Sequence, residues 1–149
     1  MSSYDRLVRR PTRPPIGIEL ARTAKACSRA FDTALAESGG SQPVWLILLG
    51  LKAGKPHTQR ELAEAVGIQG ATLTHHLNAM ESDGLVTRQR DPANRRIHQV
   101  ALTAAGEELF HRLRAKVVHF DEKLRAGLSE KDITTLSELL GRLRGNVAD

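Results

Sequence analysis

The polar residues between positions 69 and 82 are those whose types and spacing could do chemistry in this chain of 149 residues. Leu73, Leu77 and Met80 recur at helical spacing, which predicts a helix over 70–82 with one apolar face. The opposite face carries short, uncharged, hydrogen-bonding side chains, a kind that can meet base edges and phosphates in a DNA major groove. We therefore expect DNA contacts from Gln69, Ala71, Thr72, Thr74, His75 and Asn78.

A basic stretch follows this helix. Residues 85–90 and 97–102 read as strands, and Pro92 and Asn94 in the polar tip between them favour a turn. The pattern predicts a β-hairpin whose basic tip projects from the body. Such a hairpin can grip the DNA backbone and reach a flanking minor groove. The residues expected to do so are Arg88, Arg90, Asn94, Arg95 and Arg96.

A second predicted helix precedes the first. Thr58 and Glu61 form a Thr-x-x-Glu capping box, and Gly67 is placed to end the helix. Gln59 lies at its start, where free backbone N–H groups point outward, so we expect Gln59 to touch phosphate. Helix, tight turn, helix and basic hairpin are typical of a winged helix-turn-helix. The alternative is an ordinary helical hairpin beside a solvated β-hairpin.

Composition narrows the choice of partner and compartment. The formal net charge of +5 and the isoelectric point of about 9.9 favour a polyanionic partner. Aromatic residues are only 3% of the chain, which argues against single-strand binding by base stacking and favours double-stranded DNA. With one cysteine, no stretch of roughly 20 apolar residues and no signal-peptide pattern, we expect a cytoplasmic protein that does not enter a membrane.

Other reactive side chains give weaker patterns. His75 and His76 are neighbours and diverge by about 100° on a helix, whereas His111 and His119 lie two turns apart, so we expect no metal site. Cys27 falls on an apolar stripe and is interpreted as a small buried hydrophobe, with a redox-sensing thiol as the alternative. No catalytic constellation or cofactor motif is evident, so we expect neither an enzyme nor a bound cofactor.

The remaining elements must position these residues. Residues 1–15 form a basic, proline-rich arm for which we expect no regular structure through the prolines. Residues 16–149 are predicted to be one domain, with its DNA-binding part at about 42–103. The run 41–51 is apolar almost all round, which is typical of a central helix.

Helices predicted over 16–38, 103–126 and 129–143 lie outside that DNA-binding part. Each carries a continuous apolar stripe that must be buried against something. A second copy of the chain is the simplest candidate, so residues 16–38 and 104–145 are expected to form a dimerisation part. The alternative is a monomer that folds these helices onto its own winged unit.

Several segments together resemble the MarR family of bacterial transcription regulators. They are Thr-Gln-Arg-Glu-Leu-Ala at 58–63, Gly-Ala-Thr-Leu-Thr at 70–74, Met-Glu-Ser-Asp-Gly-Leu-Val at 80–86, Arg-Asp-Pro-Ala-Asn-Arg-Arg at 90–96 and Leu-Thr-Ala-Ala-Gly at 102–106. The resemblance runs from about residue 16 to 143. It implies a mainly α protein with a small β-hairpin wing, that is, a winged helix-turn-helix with terminal dimerisation helices. The family usually carries Asp where this chain has Asn94.

The resemblance also implies a function. It predicts a ligand-responsive, homodimeric transcription regulator, expected to be a repressor, on a pseudo-palindromic operator. A small aromatic or lipophilic effector would bind between the dimerisation helices and the winged unit, where Phe31, Trp45, Leu49 and Phe120 are candidate lining residues. Core packing explains those four side chains equally well. A winged-helix module that docks protein, or a redox sensor acting through Cys27, are the alternative functions.

Overall fold

The computed structural model describes residues 13–54 and 57–148, so nearly all of the predicted N-terminal arm lies outside the described residues. In chain order the elements are α1 Ile16–Ala36, α2 Gln42–Ala53, β1 His57–Thr58, α3 Gln59–Val66, α4 Gly70–Ser82, β2 Val86–Arg90, β3 His98–Leu102, α5 Ala104–Leu124 and α6 Glu130–Val147. The prediction of a mainly α, winged helix-turn-helix fold with a β-hairpin wing is confirmed.

Helix α3 starts at its predicted capping residue. The Thr58 hydroxyl accepts a hydrogen bond from the Glu61 N–H and so caps α3. Gly67 ends α3 with a positive φ of 69°, a conformation that costs glycine little. Ser41, Thr103 and Ser129 cap α2, α5 and α6 in the same manner as Thr58.

The sheet has three strands in the order β1-β3-β2, all antiparallel. The predicted hairpin is β2 and β3, in a register that places Val86 opposite Leu102. The two-residue strand β1 was not predicted. It pairs Thr58 with Gln99, so Thr58 serves both as the last strand residue and as the cap of α3. This pairing ties the start of α3 to the wing.

One apolar core joins α2, α3, α4, α5 and the sheet. Its buried members are Leu35, Trp45, Ile47, Leu48, Leu62, Leu73, Leu77, Met80, Val86, Val100, Leu109, Phe110 and Leu113. Helix α2 packs against α3, α5 and β3, so the prediction of a central, apolar helix is confirmed. Because the core holds both α4 and the wing, their relative placement follows from close packing.

The outer helices bury much less. Leu35 is the one buried residue of α1, and α6 buries none of its residues within the described chain. α1 packs on α5, where the rings of Phe31 and Phe120 lie 5.1 Å apart and Lys116 Nζ lies 2.8 Å from a carboxylate oxygen of Glu37. Along residues 13–54 and 57–148, no helix combines the length and the apolar character needed to cross a membrane.

Candidate nucleic-acid interface

Helix α4 presents the polar face that its spacing predicted. Leu73, Leu77 and Met80 are buried in the core. Ala71, Thr72, His75 and Asn78 are exposed, and Thr74 is half-buried. Before its last turn, where Glu81 lies, the helix has no charged side chain. Hydrogen-bonding capacity without charge is thus concentrated on the side facing away from the core.

Two predicted contact residues are bonded to each other. The Gln59 amide Nε2 donates to the Thr74 hydroxyl at 2.5 Å, and that hydroxyl donates to the Gly70 carbonyl at 2.9 Å. The single hydroxyl hydrogen of Thr74 is therefore used within its own helix. Thr74 holds the Gln59 side chain across the helix-turn-helix, and Gln59 remains the more available partner for an outside molecule.

An open cleft separates α3 from the start of α4 and brings three predicted residues together. Its lining includes Gln59, Gln69 and Thr74. Among the described residues Gln69 makes no side-chain capping bond to α4, although its carbonyl accepts from the Leu73 N–H. First-turn N–H groups without a side-chain cap are suited to an incoming phosphate oxygen.

Arg88 of β2 folds back onto α4. Its Nε donates to the Glu81 carboxylate at 3.3 Å, and its Nη2 donates to Glu81 at 3.2 Å and to the Asn78 Oδ1 at 2.5 Å. The Arg88 backbone N–H also donates to Glu81, at 3.2 Å. Only 18% of the Arg88 side chain is exposed. Arg88 is therefore bound to α4, unlike the other wing arginines.

The charge of Glu81 is favoured by this contact. The hydrogen bond from the Arg88 side chain lowers the pKa of Glu81 below its ordinary value, and the charges of Arg88 and His98 act in the same direction. Glu81 thus stays ionised at neutral pH and holds the guanidinium against the helix.

The wing tip is ordered by its own polar groups. The Asp91 N–H donates to the Ile97 carbonyl at 2.8 Å, and the Asp91 carboxylate accepts from the Ala93 N–H at 2.8 Å. The Asn94 Oδ1 accepts from the Arg96 backbone N–H at 3.2 Å. These bonds hold the backbone of the tip.

The other tip arginines face outward. Arg90, Arg95 and Arg96 are exposed. Arg96 lines a second cleft together with Gln59 and Arg60, so the wing tip and the start of α3 border one space. The wing therefore has three arginines directed to solvent and a fourth, Arg88, engaged with α4.

The candidate effector residues lie in three places. Phe31 packs on Phe120, as described above. Trp45 is buried and stacks on Phe110, with ring centroids 5.4 Å apart. Leu49 is 41% exposed and borders an apolar groove between α2 and α3. The stack on Phe110 was missed, because a buried aromatic at helical spacing reads as ordinary core.

Cysteine and histidine positions add no further constellation. Cys27 is half-buried on α1. His111 and His119 border one shallow cleft on α5, and the rings of His75 and His76 meet edge to face at 5.6 Å. In the part of the chain that the structure describes, no three His, Cys, Asp or Glu side chains are grouped so that they could hold a metal ion.

The fold and this surface define a class. A short helix, a turn and a second helix with an uncharged polar face, beside a basic hairpin, make the chain a winged helix-turn-helix protein. Residues 41–98 match the model of the MarR family. This similarity to the MarR family covers the winged-helix part of the chain.

Solved structures are similar to the chain along most of its length. The transcriptional repressor CouR bound to a 23-mer DNA duplex is 26% identical, with a TM-score of 0.79 over 87% of this chain and 92% of that one. A mutant MarR from E. coli complexed with operator DNA is 19% identical, with a TM-score of 0.78 over 96% and 99%. The PcaV regulator from Streptomyces coelicolor in complex with its natural ligand is 20% identical, with a TM-score of 0.76 over 93% and 100%. The last two show the shared fold.

Proposed function

We propose that the chain is a transcription regulator that binds duplex DNA with α4 in the major groove and the wing in a flanking minor groove. The observation that carries this proposal is the uncharged polar face of α4 set beside the exposed arginines of the wing. Arginine suits the negative potential of a narrow minor groove, whereas short polar side chains suit base edges. That the similar CouR structure holds a DNA duplex supports the same use of this surface.

The regulator acts as a homodimer and represses by occupying a pseudo-palindromic operator. Large apolar side chains stay exposed on the outer helices, among them Ile18 and Leu20 on α1 and Leu136 and Leu139 on α6. A second copy would cover them, so residues 16–38 and 104–145 form the dimerisation part and about 42–103 the DNA-binding part. Two copies of α4 would then meet half-sites about 10 base pairs apart.

Binding responds to a small aromatic or lipophilic effector in the cytoplasm, and the chain has no enzymatic role. PcaV, which shares the fold, was solved with its natural ligand. In this chain the effector would enter near the packed pair Phe31 and Phe120, between α1 and α5. Trp45, which stacks on Phe110, and Leu49, in its groove, are the other candidate contacts.

Selection from a random duplex library with the purified full chain tests the DNA-binding function. We expect a two-fold symmetric site whose affinity falls steeply with salt, with log K dropping by roughly 0.9 per contacted phosphate for each unit of log salt. A failure to enrich any duplex, or an affinity indifferent to salt, would contradict DNA as the partner. The protein-docking alternative would then stand.

Arg96→Ala tests the wing separately. The guanidinium of Arg96 is exposed at the tip, so its loss should weaken binding to the selected duplex by about 1–3 kcal/mol without affecting the fold. Arg10→Ala removes the same charge from the N-terminal arm, which the proposed interface does not include, and should cost much less. Isotherms for both variants at one salt concentration decide the matter, and an equal or larger loss for Arg10→Ala would mean that the wing is misassigned.

A further inference from the structure

We propose that Arg88 is a positioning residue that fixes the amide of Asn78 so that Asn78 reads guanine as a pure hydrogen-bond donor. This inference rests on the proposed function and deepens it, since it names what one residue of α4 recognises. It differs from the expectation that Arg88 grips the DNA backbone, because three hydrogen bonds from its side chain already go to α4.

The orientation of the amide follows from the chemistry of its neighbour. A guanidinium has only donors, so the atom of Asn78 that faces Arg88 Nη2 must be the acceptor Oδ1. Ordinarily the two ends of an asparagine amide are hard to tell apart, but a donor-only partner removes the ambiguity. The Nδ2 group, with its two N–H donors, consequently points away from Arg88.

Arg88 itself is held in place by a charged partner. Both carboxylate oxygens of Glu81 accept from Arg88, one from Nη2 and the other from Nε and from the backbone N–H. Two oxygens on two nitrogens give a fork geometry that fixes the plane of the guanidinium. Glu81 therefore holds Arg88, and Arg88 in turn holds Asn78. The NH₂ group of Asn78 lies at an exposed position of α4.

The position of Asn78 makes this orientation useful. Asn78 lies three residues after His75 and seven after Ala71, on the exposed face of α4. Guanine offers two adjacent acceptors in the major groove, N7 and O6, which match an NH₂ group. Cytosine offers a donor there and would be rejected. Bidentate reading of adenine needs the amide oxygen as well as the amide nitrogen to face the base, and the oxygen of Asn78 faces Arg88 instead.

The experiment compares base preferences rather than affinities alone. Wild-type full chain selects its duplex from a random library, and binding is then measured with all four base pairs substituted at each position of one half-site. One position should prefer guanine over adenine at least about fivefold. Asn78→Ala should abolish the preference there and leave the other positions unchanged.

Arg88→Lys provides the sharper test. It keeps the positive charge but loses the fork that spans Glu81 and Asn78, which frees the amide to turn. Adenine should then be accepted to within about twofold of guanine at that position only. In the Asn78→Ala background, Arg88→Lys should cause no further change in base preference. Glu81→Gln, which weakens the fork from its other end, should shift the preference in the same direction.

The experiment distinguishes failure of the proposed function from failure of this inference. If the wild-type chain enriches no duplex, the proposed function falls and this inference falls with it. If a duplex is enriched but Asn78→Ala changes no base preference, only the reading by Asn78 is overturned. If Asn78→Ala abolishes a preference that Arg88→Lys and Glu81→Gln both leave intact, Arg88 is not a positioning residue. Circular dichroism of each variant confirms that the fold is retained.

Discussion

Several side chains on the proposed DNA-binding face already have partners within the protein. The hydroxyl of Thr74 bonds to Gln59 and to the carbonyl of Gly70, whereas the exposed His75 makes a ring contact with its neighbour His76 and, among the described residues, no side-chain hydrogen bond. Polar residues on this face therefore divide into those that can contact DNA directly and those that hold their neighbours. Side-chain type alone does not separate the two groups.

Thr74→Val tests this division. Valine keeps the shape of threonine but lacks the hydroxyl, so Gln59 loses its anchor and must be ordered again when DNA binds. We expect weaker binding to the selected duplex, with a change of only about 0.5–1.5 kcal/mol in the free energy of unfolding. Thr74→Ser restores the hydroxyl and should bind nearly as wild type. Equal binding by the valine and serine variants would show that Gln59 does not depend on Thr74.

The Glu37–Lys116 pair should make stability depend on pH. The hydrogen bond and charge of Lys116 lower the pKa of Glu37 in the folded state. A lowered pKa contributes stability that is present above the ordinary glutamate pKa and is lost as the pH falls through the lowered value. Glu37→Gln should therefore flatten the acid side of a stability profile measured with urea. Glu138→Gln on α6 removes the same charge and serves as control, and an equal flattening there would contradict this role of the pair.

At the scale of elements, the junction between the wing and α5 is tightly built. The Thr103 hydroxyl donates to the Gly84 carbonyl at 2.6 Å, and the Thr103 N–H donates to the Leu85 carbonyl at 3.1 Å. A Cβ at Gly106 would collide with that same Leu85 carbonyl. The residue types of the Leu-Thr-x-x-Gly segment at 102–106 are thus explained by the structure. Its threonine caps α5, and its glycine lets α5 approach the wing backbone.

Gly106→Ala should destabilise the fold. The collision is with backbone rather than with a mobile side chain, so relief requires α5 or the wing to shift, at a cost of about 1–3 kcal/mol. Gly145→Ala in α6 is the matched control, since a Cβ there meets nothing and alanine favours a helix by roughly 0.5–1 kcal/mol. Thermal unfolding of both variants provides the comparison. A Gly106→Ala protein as stable as wild type would show that the junction is looser than described.

Local patterns predicted the helices well and the sheet incompletely. Capping residues and apolar spacing predicted α3 and α4 with the bounds that the structure shows. Both kinds of signal are local, because they lie within the helix itself or next to its ends. Strand β1 was missed because it has two residues, and its partner Val100 lies far along the chain. The bond from Arg88 to Asn78 was missed for a similar reason, since it requires the wing to fold back on α4.

For the whole molecule, the exposed apolar residues of α6 predict an obligatory partner. Leu136 is 48% exposed and Leu140 is half-buried in the single chain. Replacing both with glutamate should produce a monomer, because a charge buried without a partner costs several kcal/mol. Light scattering across a dilution series measures the outcome. A wild-type chain that is already monomeric at working concentrations would contradict the homodimer.

The sequence predicted the geometry of assembly and of effector binding least well. The stripes on the outer helices showed that something must cover them, but a stripe does not encode the geometry of its partner. Phe31, Trp45, Leu49 and Phe120 were chosen for their size and apolarity, which are properties that core and pocket residues share. The structure separates these residues into three locations, and their part in effector binding stays a prediction.

The length of α5 has a mechanical consequence. The helix has 21 residues, which at 1.5 Å per residue makes a rod about 30 Å long, clamped at one end to the wing by Thr103 and Gly106. If its far end is fixed in a dimer, a tilt of only about 6° moves the clamped end by about 3 Å, close to the step of one base pair along DNA, ~3.4 Å. One small molecule bound beside α5 could produce a rotation of this size. Such a rotation would move the two copies of α4 out of register with their half-sites.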